Sequence, residues 1–421
     1  MKIIPVYFLL FSLLVGCSGT KRSIQKSTLK VFESAFYDHQ FTGFLVVNPQ
    51  NKDTLLHFNA KKYFTPASNT KIFTLFTALR LLPDSIPALK YLQQNDTLYL
   101  EGTGDPTLLH SYFGYNKTID FLKRYDNIAL HLNNFQDEKF GPGWAWEDYQ
   151  YYFQPEKGPF PIYGNVTTLF HADSMNVTPS YFKDSVIAIH VDRNRNLEQN
   201  RFYFSPSRKD TLEIPFRTDS TLTKILLEEA LKKKVTLVQK MPATKKKVLA
   251  GIAVDSVYRR MMIESDNFLA EQLLILGAAT LSDTLSSSKA RQYILNNELA
   301  ELRQKPRWVD GSGLSRYNLF TPESMVYVLS KLYQEIPKER LMSFFPTGGE
   351  GTLKDWYHGD PEPYLFAKTG SVGNNHNISG YLITKSGKTL IFSFMNNHFR
   401  QPSSEVKQRM QQIFENIRDT Y

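Results

Sequence analysis

A serine and a lysine that stand three residues apart carry the first indication of chemistry in this sequence. They are Ser68 and Lys71, in the stretch TPASNTKIFT that begins at Thr65, where Pro66 suits the first turn of a helix. Residues with this spacing lie on the same face of a helix. A serine hydroxyl becomes a strong nucleophile only when a base takes its proton, and a lysine is such a base when burial or a second cation lowers its pKa. The pair predicts a serine nucleophile with a lysine base, although the spacing alone also fits the ordinary start of a helix.

Two further short motifs follow in the same chain. Ser265, Asp266 and Asn267 (SDN) precede an apolar helical stripe, and Lys368–Gly370 (KTG) lies on a predicted strand. Ser-x-x-Lys, Ser-Asp-Asn and Lys-Thr-Gly, in this order, are the motifs that serine β-lactamases and penicillin-binding proteins share. Each motif alone is weak evidence, whereas all three in order, at two helix starts and on a strand, are strong evidence.

The residue types in these motifs suit an acyl-transfer reaction. We expect Ser265 to relay a proton to the leaving amine, and Asn267 to orient both Lys71 and the substrate amide. Lys368 and Thr369 suit a terminal carboxylate, because the lysine supplies charge and the threonine supplies a hydroxyl hydrogen bond. The motifs together predict that the serine attacks a carbonyl close to a free carboxylate.

The end of the KTG strand is expected to hold the substrate. Gly370 lets the substrate lie close along the strand edge, because it has no side chain. The backbone N–H groups of Ser68 and Ser371 are expected to form the oxyanion hole that stabilises the tetrahedral intermediate.

The N-terminal residues predict export and a lipid anchor. Lys2 precedes an apolar stretch over residues 3–15, which is shorter than the roughly 20 residues of a membrane-spanning helix and is typical of a signal peptide. Leu14–Cys17 (LVGC) resembles the bacterial lipobox, whose cysteine is lipidated and becomes the mature N-terminus. We therefore expect a lipoprotein signal peptide over residues 1–17, a polar tether over residues 18–26, and a periplasmic protein anchored to a membrane. A plain signal peptide with an incidental cysteine is the alternative.

Composition limits the other classes of function. Cys17 is the only cysteine in the 421 residues, which excludes intramolecular disulfides and metal sites built on thiolates. The nine histidines show no metal-ligand spacing, so neither a metal nor a cofactor is expected. The net charge of +9, with lysine runs at 232–234 and 245–247, favours anionic surroundings but equally fits a solvated surface. No nucleic-acid-binding motif accompanies these runs, so a nucleic-acid partner is not expected.

The hydrophobic pattern predicts an α/β (α+β) protein whose first and last parts belong together. A helix over residues 27–39 and two strands precede the helix that carries Ser68, and a strand, a hairpin and an amphipathic helix close the chain. In the helix after Ser68, one apolar stripe is formed by Ile72, Leu75, Phe76 and Leu79. A long segment of short β-like runs and turns lies between them. We expect one domain from residues 27–85 and 246–421, with a β-rich domain of residues 86–245 inserted between the first and second motifs.

The chain resembles the serine-type D-alanyl-D-alanine carboxypeptidase/endopeptidase family, the class C low-molecular-mass penicillin-binding proteins. The long insertion between Ser68 and Ser265 marks this family, because compact β-lactamases separate these motifs by a much shorter stretch. The other matching segments are Gly102–Leu108 (GTGDPTL), Gly143–Asp148 (GWAWED), Asp310–Asn318 (DGSGLSRYN) and Gly351–Trp356 (GTLKDW). The resemblance implies a β-lactamase/transpeptidase-like fold, with an antiparallel sheet flanked by helices. It also implies hydrolysis of D-Ala–D-Ala termini or peptide crosslinks in peptidoglycan, with β-lactams as inhibitors.

The resemblance further implies a pocket for the distal part of the stem peptide. The family places acidic and aromatic groups of its inserted domain near the distal amine, and Glu147, Asp148 and Tyr152 are the corresponding residues here. Arg316 is expected to line the same pocket. A structural aromatic cluster and a surface ion pair are the respective alternatives.

Other functions with the same motifs stay open. A class A β-lactamase needs a glutamate that activates the deacylating water, and we find no convincing counterpart of that motif. An esterase or amidase of the same fold is a second alternative. A non-catalytic peptidoglycan-binding lipoprotein is a third, but it would not need the whole set of Ser68, Lys71, Ser265, Asn267 and Lys368. The sequence leaves the balance between carboxypeptidase and endopeptidase activity open.

Overall fold

The structure, a computed structural model, describes residues 19–114, 117–172 and 174–421. Its strands, numbered in chain order, are β1 (Phe41–Asn48), β2 (Asp53–Phe58), β3 (Ser85–Gln94), β4 (Thr97–Gly102), β5 (Asn127–His131), β6 (Val166–His171), β7 (Met175–Thr178), β8 (Val186–Ala188), β9 (Phe202–Phe204), β10 (Leu212–Pro215), β11 (Val235–Leu237), β12 (Lys247–Ala253), β13 (Leu365–Val372), β14 (Asn375–Ile383) and β15 (Thr389–Asn397). Its α-helices are α1 (19–32), α2 (Lys71–Leu81), α3 (Lys117–Leu122), α4 (Ser220–Leu231), α5 (Val254–Ile263), α6 (Asn267–Leu281), α7 (Ser287–Tyr293), α8 (Pro322–Glu335), α9 (Lys338–Phe344) and α10 (Ser403–Thr420). A 3₁₀ turn, Ala67–Thr70, leads directly into α2, and a π turn, Ile294–Glu298, continues α7.

Both ends of the chain contribute to one antiparallel sheet of five strands, in the order β13-β14-β15-β1-β2. Alternate residues of β1 face its two sides, as the geometry of a strand requires. Phe44 and Val46 pack in the core that α1 and α10 cover, whereas Leu45 packs in the core of α2 and α8. Because helices cover both faces, β14 and β15 are buried almost throughout. This arrangement confirms the predicted fold class and the predicted closing hairpin.

The N-terminal helix corrects one expectation. Residues 19–26, predicted as a tether, form the first half of α1. Ile24, Thr28 and Phe32 are buried and recur every four residues, so they form one stripe against the sheet. The side-chain amide of Gln25 also donates a hydrogen bond to the Leu55 carbonyl. The polar composition of the segment concealed this single buried stripe.

A second sheet lies within the predicted insertion and has the order β11-β5-β4-β3-β12. The pairs β4–β5 and β5–β11 are parallel, and β3 pairs antiparallel with both β4 and β12. Since β12 belongs to this sheet, residues 247–253 lie with the insertion and not with the C-terminal part, where the expected boundary placed them. The division into two domains stays a prediction, with its second boundary moved to the Ala253–Val254 junction.

The two motif-bearing helices, α2 and α6, pack against each other in one core. Of the four stripe residues predicted on α2, Ile72, Leu75 and Phe76 are fully buried and Leu79 is partly buried. The rest of the helix up to Ala78 is buried as well, so α2 is surrounded by other elements and does not bury a single stripe. Helix α6 is apolar on nearly all sides and buried over most of its length, as expected for a helix surrounded by other elements. Among the helices that the structure describes, none has both the length and the apolar character needed to span a membrane.

Candidate active site

Ser68 lies in the 3₁₀ turn that precedes α2. The sequence predicts Thr65 as the helix cap, but the structure uses this residue differently. The Thr65 N–H donates to Oδ1 of Asn397 at 2.7 Å, and its carbonyl accepts from Nδ2 of Asn377 at 3.0 Å. Pro66 takes the N-cap position, without a side-chain cap. The nucleophile turn is therefore tied directly to β14 and β15.

Two glycines press against this turn from separate elements. A Cβ atom at Gly313 would lie 1.9 Å from the Ala67 carbonyl oxygen, and one at Gly370 would lie 2.4 Å from the Pro66 carbonyl oxygen. Gly370 was expected to leave room for substrate along the strand. The structure shows a different need for it. A Cβ atom at Gly370 would also lie only 2.9 Å from the backbone nitrogen of Ser68, so any side chain there would push β13 away from the nucleophile turn.

Lys71 is fully buried and its amine has three partners. Nζ lies 3.0 Å from Oγ of Ser68, 2.7 Å from Oδ1 of Asn267 and 2.8 Å from the carbonyl oxygen of Ser312. A neutral amine has two N–H groups and one lone pair, and the amide and carbonyl oxygens can only accept. The two N–H groups therefore bind Asn267 and Ser312, which leaves the lone pair directed at the hydroxyl of Ser68. This is the arrangement that a general base requires.

The environment of Lys71 shifts its protonation equilibrium towards the neutral amine. Burial lowers the pKa of Lys71 to about 8, while the carboxylates of Asp266, Asp310 and Glu271 oppose the shift. At pH 7 a lysine with this pKa is neutral in about a tenth of the molecules. A substantial supply of the basic form is thus present at neutral pH.

Lys368 lies on β13 and is also fully buried, with Nζ donating to the Thr369 carbonyl at 2.9 Å. Burial, and then repulsion from Lys71, hold the pKa of Lys368 well below its usual value. The sequence predicts that Lys368 helps to lower the pKa of Lys71. In the structure burial is the cause that lowers the pKa of Lys71, whereas repulsion between the two amines lowers the pKa of Lys368. Both amines therefore lose a proton more readily than a lysine in water does.

The SDN motif stands at the start of α6. Asp266 caps the helix by accepting from the Leu269 N–H at 3.0 Å. Ser265, between α5 and α6, has a positive φ of 60° and lines the same cavity as Ser68. Asn267 accepts from Lys71 as predicted. Its Nδ2 atom, expected to meet the substrate amide, donates instead to the Phe153 carbonyl at 3.0 Å. This contact fixes the loop of the inserted segment against the active site.

Ser68 lies where two cavities adjoin. The larger, of about 480 Å³, extends past Ser265 to Asp148 and Tyr152. The smaller, of about 390 Å³, includes Thr369 and the outer part of β13. Ser371 lines both cavities, so the structure brings the serine, the SDN loop and the KTG strand to one cleft.

The predicted distal residues separate into two groups. Asp148 and Tyr152 line the larger cavity, whereas Glu147 is exposed and is not among its lining residues. Burial raises the pKa of Asp148, the neighbouring Glu147 adds to this, and Arg316 opposes it. Arg316, predicted to line the pocket, is likewise not among its lining residues, and its guanidinium lies beside Gly373, directly after β13. Asp148 and Arg316 are therefore close enough to interact electrostatically at this end of the cleft.

Two buried carboxylates shape the loop that supplies the Ser312 carbonyl, and no role was predicted for either. Asp310 accepts hydrogen bonds from the backbone of Gly313 and Ser315 and from the indole of Trp144. Glu271 accepts from the Ser312 N–H at 2.7 Å. Asp310 begins the DGSGLSRYN segment that matches the family. Glu271 lies one helical turn after Asn267 and therefore on the same face of α6, which is the signal that the sequence offered for it.

His376 is the other residue that sequence reasoning missed. Its Nδ1 atom lies 2.7 Å from Oγ of Ser371, across the antiparallel pair of β13 and β14. Burial, with a smaller contribution from Lys407, lowers the pKa of His376 to about 3, so the ring is neutral at physiological pH. No local sequence pattern marks this histidine, because its role depends on the strand register.

The fold and the site define a serine acyl-transfer enzyme of the β-lactamase/transpeptidase type. The family model of the D-Ala-D-Ala carboxypeptidase 3 (S13) family matches residues 32–181 and 210–417, and the chain belongs to this family of serine D-Ala–D-Ala peptidases. The resemblance inferred from the motifs is thereby confirmed.

Individual relatives match over most of the chain. D-alanyl-D-alanine carboxypeptidase DacB of Haemophilus influenzae is 24% identical over 436 residues, covering 90% of each chain. Penicillin-sensitive carboxypeptidase A of Dictyostelium discoideum is 21% identical, covering 87% of this chain and 85% of its own. The crystal structure of penicillin binding protein 4 from Haemophilus influenzae has a TM-score of 0.69 at 22% identity, covering 90% of this chain and 96% of its own. At this identity the structural likeness supports the fold.

Proposed function

We propose that this serine DD-peptidase forms an acyl-enzyme on Ser68 with the stem peptide of peptidoglycan and then hydrolyses it. The observation that carries the proposal is the contact between Nζ of Lys71 and Oγ of Ser68, at 3.0 Å, with the other two positions of the amine held by acceptors. A site with this geometry can start the reaction without any change of conformation.

Acylation begins when the lone pair of Lys71 takes the hydroxyl proton of Ser68. Oγ bonds to the carbonyl carbon of the penultimate D-Ala, and the N–H groups of Ser68 and Ser371 stabilise the oxyanion. The C–N bond then breaks while the proton passes from Lys71 through the Ser265 hydroxyl to the amine, which leaves. In deacylation a water molecule takes the place of the amine, gives a proton to Lys71, and its oxygen bonds to the acyl carbon. The ester bond to Oγ of Ser68 then breaks, and Lys71 returns the proton to Oγ, which releases the acid and restores the serine.

The carboxylate of the substrate is proposed to bind at the end of β13. Thr369 and Ser371 line the smaller cavity and offer hydroxyl groups. Lys368 lies behind them with a lowered pKa, and an incoming carboxylate would raise that pKa and favour the charged amine. Lys368→Ala should therefore slow hydrolysis of a substrate with a free terminal carboxylate more than that of its ester. If Lys368→Ala slowed hydrolysis of the acid and of the ester equally, Lys368 would not be the residue that recognises the carboxylate.

The distal part of the stem peptide is proposed to enter the larger cavity. Asp148 provides a carboxylate for an amine, and Tyr152 provides an exposed ring beside it. Two kinds of relative support the choice of which peptide bond is cleaved. The curated relatives are named as carboxypeptidases, and a predatory endopeptidase from Bdellovibrio bacteriovorus shares the fold, with a TM-score of 0.52 at 15% identity. We propose both the terminal D-Ala bond and the crosslink as substrates.

Labelling with fluorescent penicillin tests the covalent step. A β-lactam mimics the acyl-D-Ala–D-Ala unit, so it should acylate Ser68 and stay attached. Ser68→Ala should remove the label completely, and mass spectrometry of a tryptic digest should place the adduct on the peptide that contains Ser68. Undiminished labelling of Ser68→Ala would disprove the assignment of the nucleophile.

Peptidoglycan lies outside the cytoplasmic membrane, so the protein acts in an exported compartment. A lipid anchor on Cys17 is proposed in addition, and this residue lies outside the part of the chain that the structure describes. Each buried CH₂ of an acyl chain contributes about 0.8 kcal/mol, so several chains on one cysteine hold a protein firmly. Cys17→Ala should move the protein from the membrane to a soluble exported fraction. Retention in the membrane at high salt would contradict the lipobox assignment.

A further inference from the structure

A second concavity, of about 480 Å³, lies beside the segment that also lines the active cleft. Residues 144–154 divide their side chains between the two sites, with Asp148, Tyr152 and Phe153 lining the cleft. The aromatic residues of the second concavity, here called the aromatic cavity, are Phe140, Trp144, Trp146 and Tyr149. Trp146 is 72% exposed, which is unusual for the largest apolar side chain and typical of a binding surface.

Two of the four rings of the aromatic cavity, Tyr149 and Trp144, are held in place by polar contacts. The hydroxyl of Tyr149 donates to the Arg195 carbonyl at 2.9 Å, and the Arg195 guanidinium lies 4.8 Å from the centre of the Tyr149 ring. Nε1 of Trp144 donates to Asp310 at 2.9 Å. Because these side chains are already ordered, a ligand that stacks on them loses little binding free energy to ordering.

Two polar atoms of the residues that line this cavity have no hydrogen-bond partner among the residues that the structure describes. They are the Nε donor of Arg195 and the Oε1 acceptor of Gln154, and both side chains are 2% exposed. The other groups of these side chains are engaged, since the Arg195 Nη1 atom donates to the Asn196 carbonyl and Gln154 donates to the Ala145 carbonyl. An unpaired buried donor and acceptor are costly, so a ligand or water that satisfies them binds favourably.

We propose that the aromatic cavity binds an N-acetylated pyranose of the peptidoglycan glycan strand. The apolar face of a pyranose stacks on aromatic rings. Its N-acetyl group supplies an N–H donor and a carbonyl acceptor, and each hydroxyl can both donate and accept. The volume is in the range of small-molecule sites. The buried carboxylate of Glu156 is paired with Lys139 and accepts from the Thr218 N–H, so it is not free to bind a cationic ligand. This inference rests on the proposed function, because the glycan is the other half of the same polymer.

The two sites are close enough for one polymer unit to occupy both. Tyr149 lines the aromatic cavity and Phe153 lines the active cleft, and the four residue steps between them span at most about 14 Å. An extended stem peptide of four to five residues spans about the same distance. A glycan unit in the aromatic cavity would thus deliver its own stem peptide, or a neighbouring one, to Ser68.

Isothermal titration with chitotriose, a trimer of N-acetylglucosamine, tests the binding. The native protein should bind it saturably, Trp146→Ala should bind at least tenfold more weakly, and Trp146→Phe should restore part of the affinity. Tyr181→Ala, which removes an aromatic residue of 45% exposure outside the cavity, should bind like the native protein. Cellotriose lacks the N-acetyl groups and should bind more weakly. The absence of saturable chitotriose binding, or equal binding of cellotriose, would overturn the proposal.

Activity measurements give a second, independent readout. Trp146→Ala should slow the release of peptides from intact sacculi several-fold, while hydrolysis of a soluble stem pentapeptide and penicillin labelling stay unchanged. Equal losses on sacculi and on pentapeptide would mean that the cavity holds peptide, and would overturn the glycan assignment. Failure of the underlying function looks different, because the native protein would then neither take up penicillin nor release D-Ala, whatever its affinity for chitotriose.

Discussion

Oδ1 of Asn267 lies 2.7 Å from Nζ of Lys71, across 196 positions of the sequence. Each residue is the first of its helix, α6 and α2 respectively, and the two helices pack against each other in one core. The position of the base is therefore set by the packing of two rigid elements, and the flexible lysine chain has little freedom to leave Ser68.

The first prediction concerns the pH dependence of acylation. Only neutral Lys71 has a lone pair, so the rate of penicillin acylation at low concentration should rise about tenfold per pH unit below the pKa of about 8 and level off above it. Stopped-flow fluorescence with a chromogenic β-lactam measures this profile. Lys71→Met should acylate at a negligible rate at every pH, and a flat profile in the native protein would show that another group is the base.

The same shift has a consequence for stability. The pKa of Lys71 is lower in the folded chain, about 8, than its ordinary 10.5, so the unfolded chain binds more protons between these two values. The free energy of unfolding should therefore gain a contribution that grows with pH in this window and reaches about 3 kcal/mol at its upper end. Urea unfolding at pH 8 and 10 should show a larger rise in the native protein than in Lys71→Met, in which Lys368 with its lowered pKa still contributes.

Glu271 offers a second prediction on the same pH profile. Its Oε1 atom accepts from the Ser312 N–H at 2.7 Å, and its charge opposes the lowering of the Lys71 pKa. Glu271→Gln keeps an acceptor for Ser312 but removes the charge, so the acidic limb of the profile should move to lower pH. Glu271→Leu removes the acceptor as well and should cost about 1–3 kcal/mol of stability. A limb that stays in place in Glu271→Gln would show that Glu271 is already neutral there.

How much the sequence could predict depends on how local each feature is. The three motifs and the buried apolar residues of α2 depend on spacing within one helix or strand, and the chain pattern alone located them. The acceptor role of Ser312 could not be predicted, because a backbone carbonyl has no sequence signature. The pairing of Ser371 with His376 needs the register of β13 on β14. Only the first half of helix α1 was missed, because its buried stripe is narrow within a polar segment.

His376 and Ser371 should act as one unit in substrate recognition. Nδ1 of His376 lies 2.7 Å from Oγ of Ser371, and losing one such hydrogen bond costs about 0.5–1.5 kcal/mol, or about a two- to tenfold loss in kcat/KM. The double variant Ser371→Ala/His376→Ala should lose less than the product of the two single losses. If the loss in kcat/KM of the double variant equalled the product of the two single losses, Ser371 and His376 would act independently.

The neutral state of His376 makes a distinct prediction about pH. Since its pKa is about 3, the ratio of kcat/KM between the native protein and His376→Ala should stay constant from pH 5 to 8. The unfolded histidine titrates near 6.5, so the unfolded chain binds an extra proton below that value. The native protein should therefore lose stability relative to His376→Ala as the pH falls below about 6.5. Paired urea titrations at pH 5 and 8 measure this difference.

The last prediction concerns the glycine that presses on the nucleophile turn. Gly313 has a φ of +83°, and a Cβ there would lie 1.9 Å from the Ala67 carbonyl oxygen, which is too close for any relaxed structure. Gly313→Ala must therefore push the turn, and with it Ser68, away from Lys71. A displacement of about 1 Å is enough to slow acylation about 100-fold.

Gly387 provides the matched control for this substitution. Its φ of +79° is nearly the same, but a Cβ there meets no atom within 4 Å. Gly387→Ala should therefore suffer only the backbone strain of about 1–2 kcal/mol that Gly313→Ala also suffers, with no effect on Ser68. Urea unfolding measures the shared strain, and penicillin acylation measures the displacement that Gly313→Ala alone should cause. If both variants acylate at the native rate, the contact between Gly313 and the turn does not position the nucleophile.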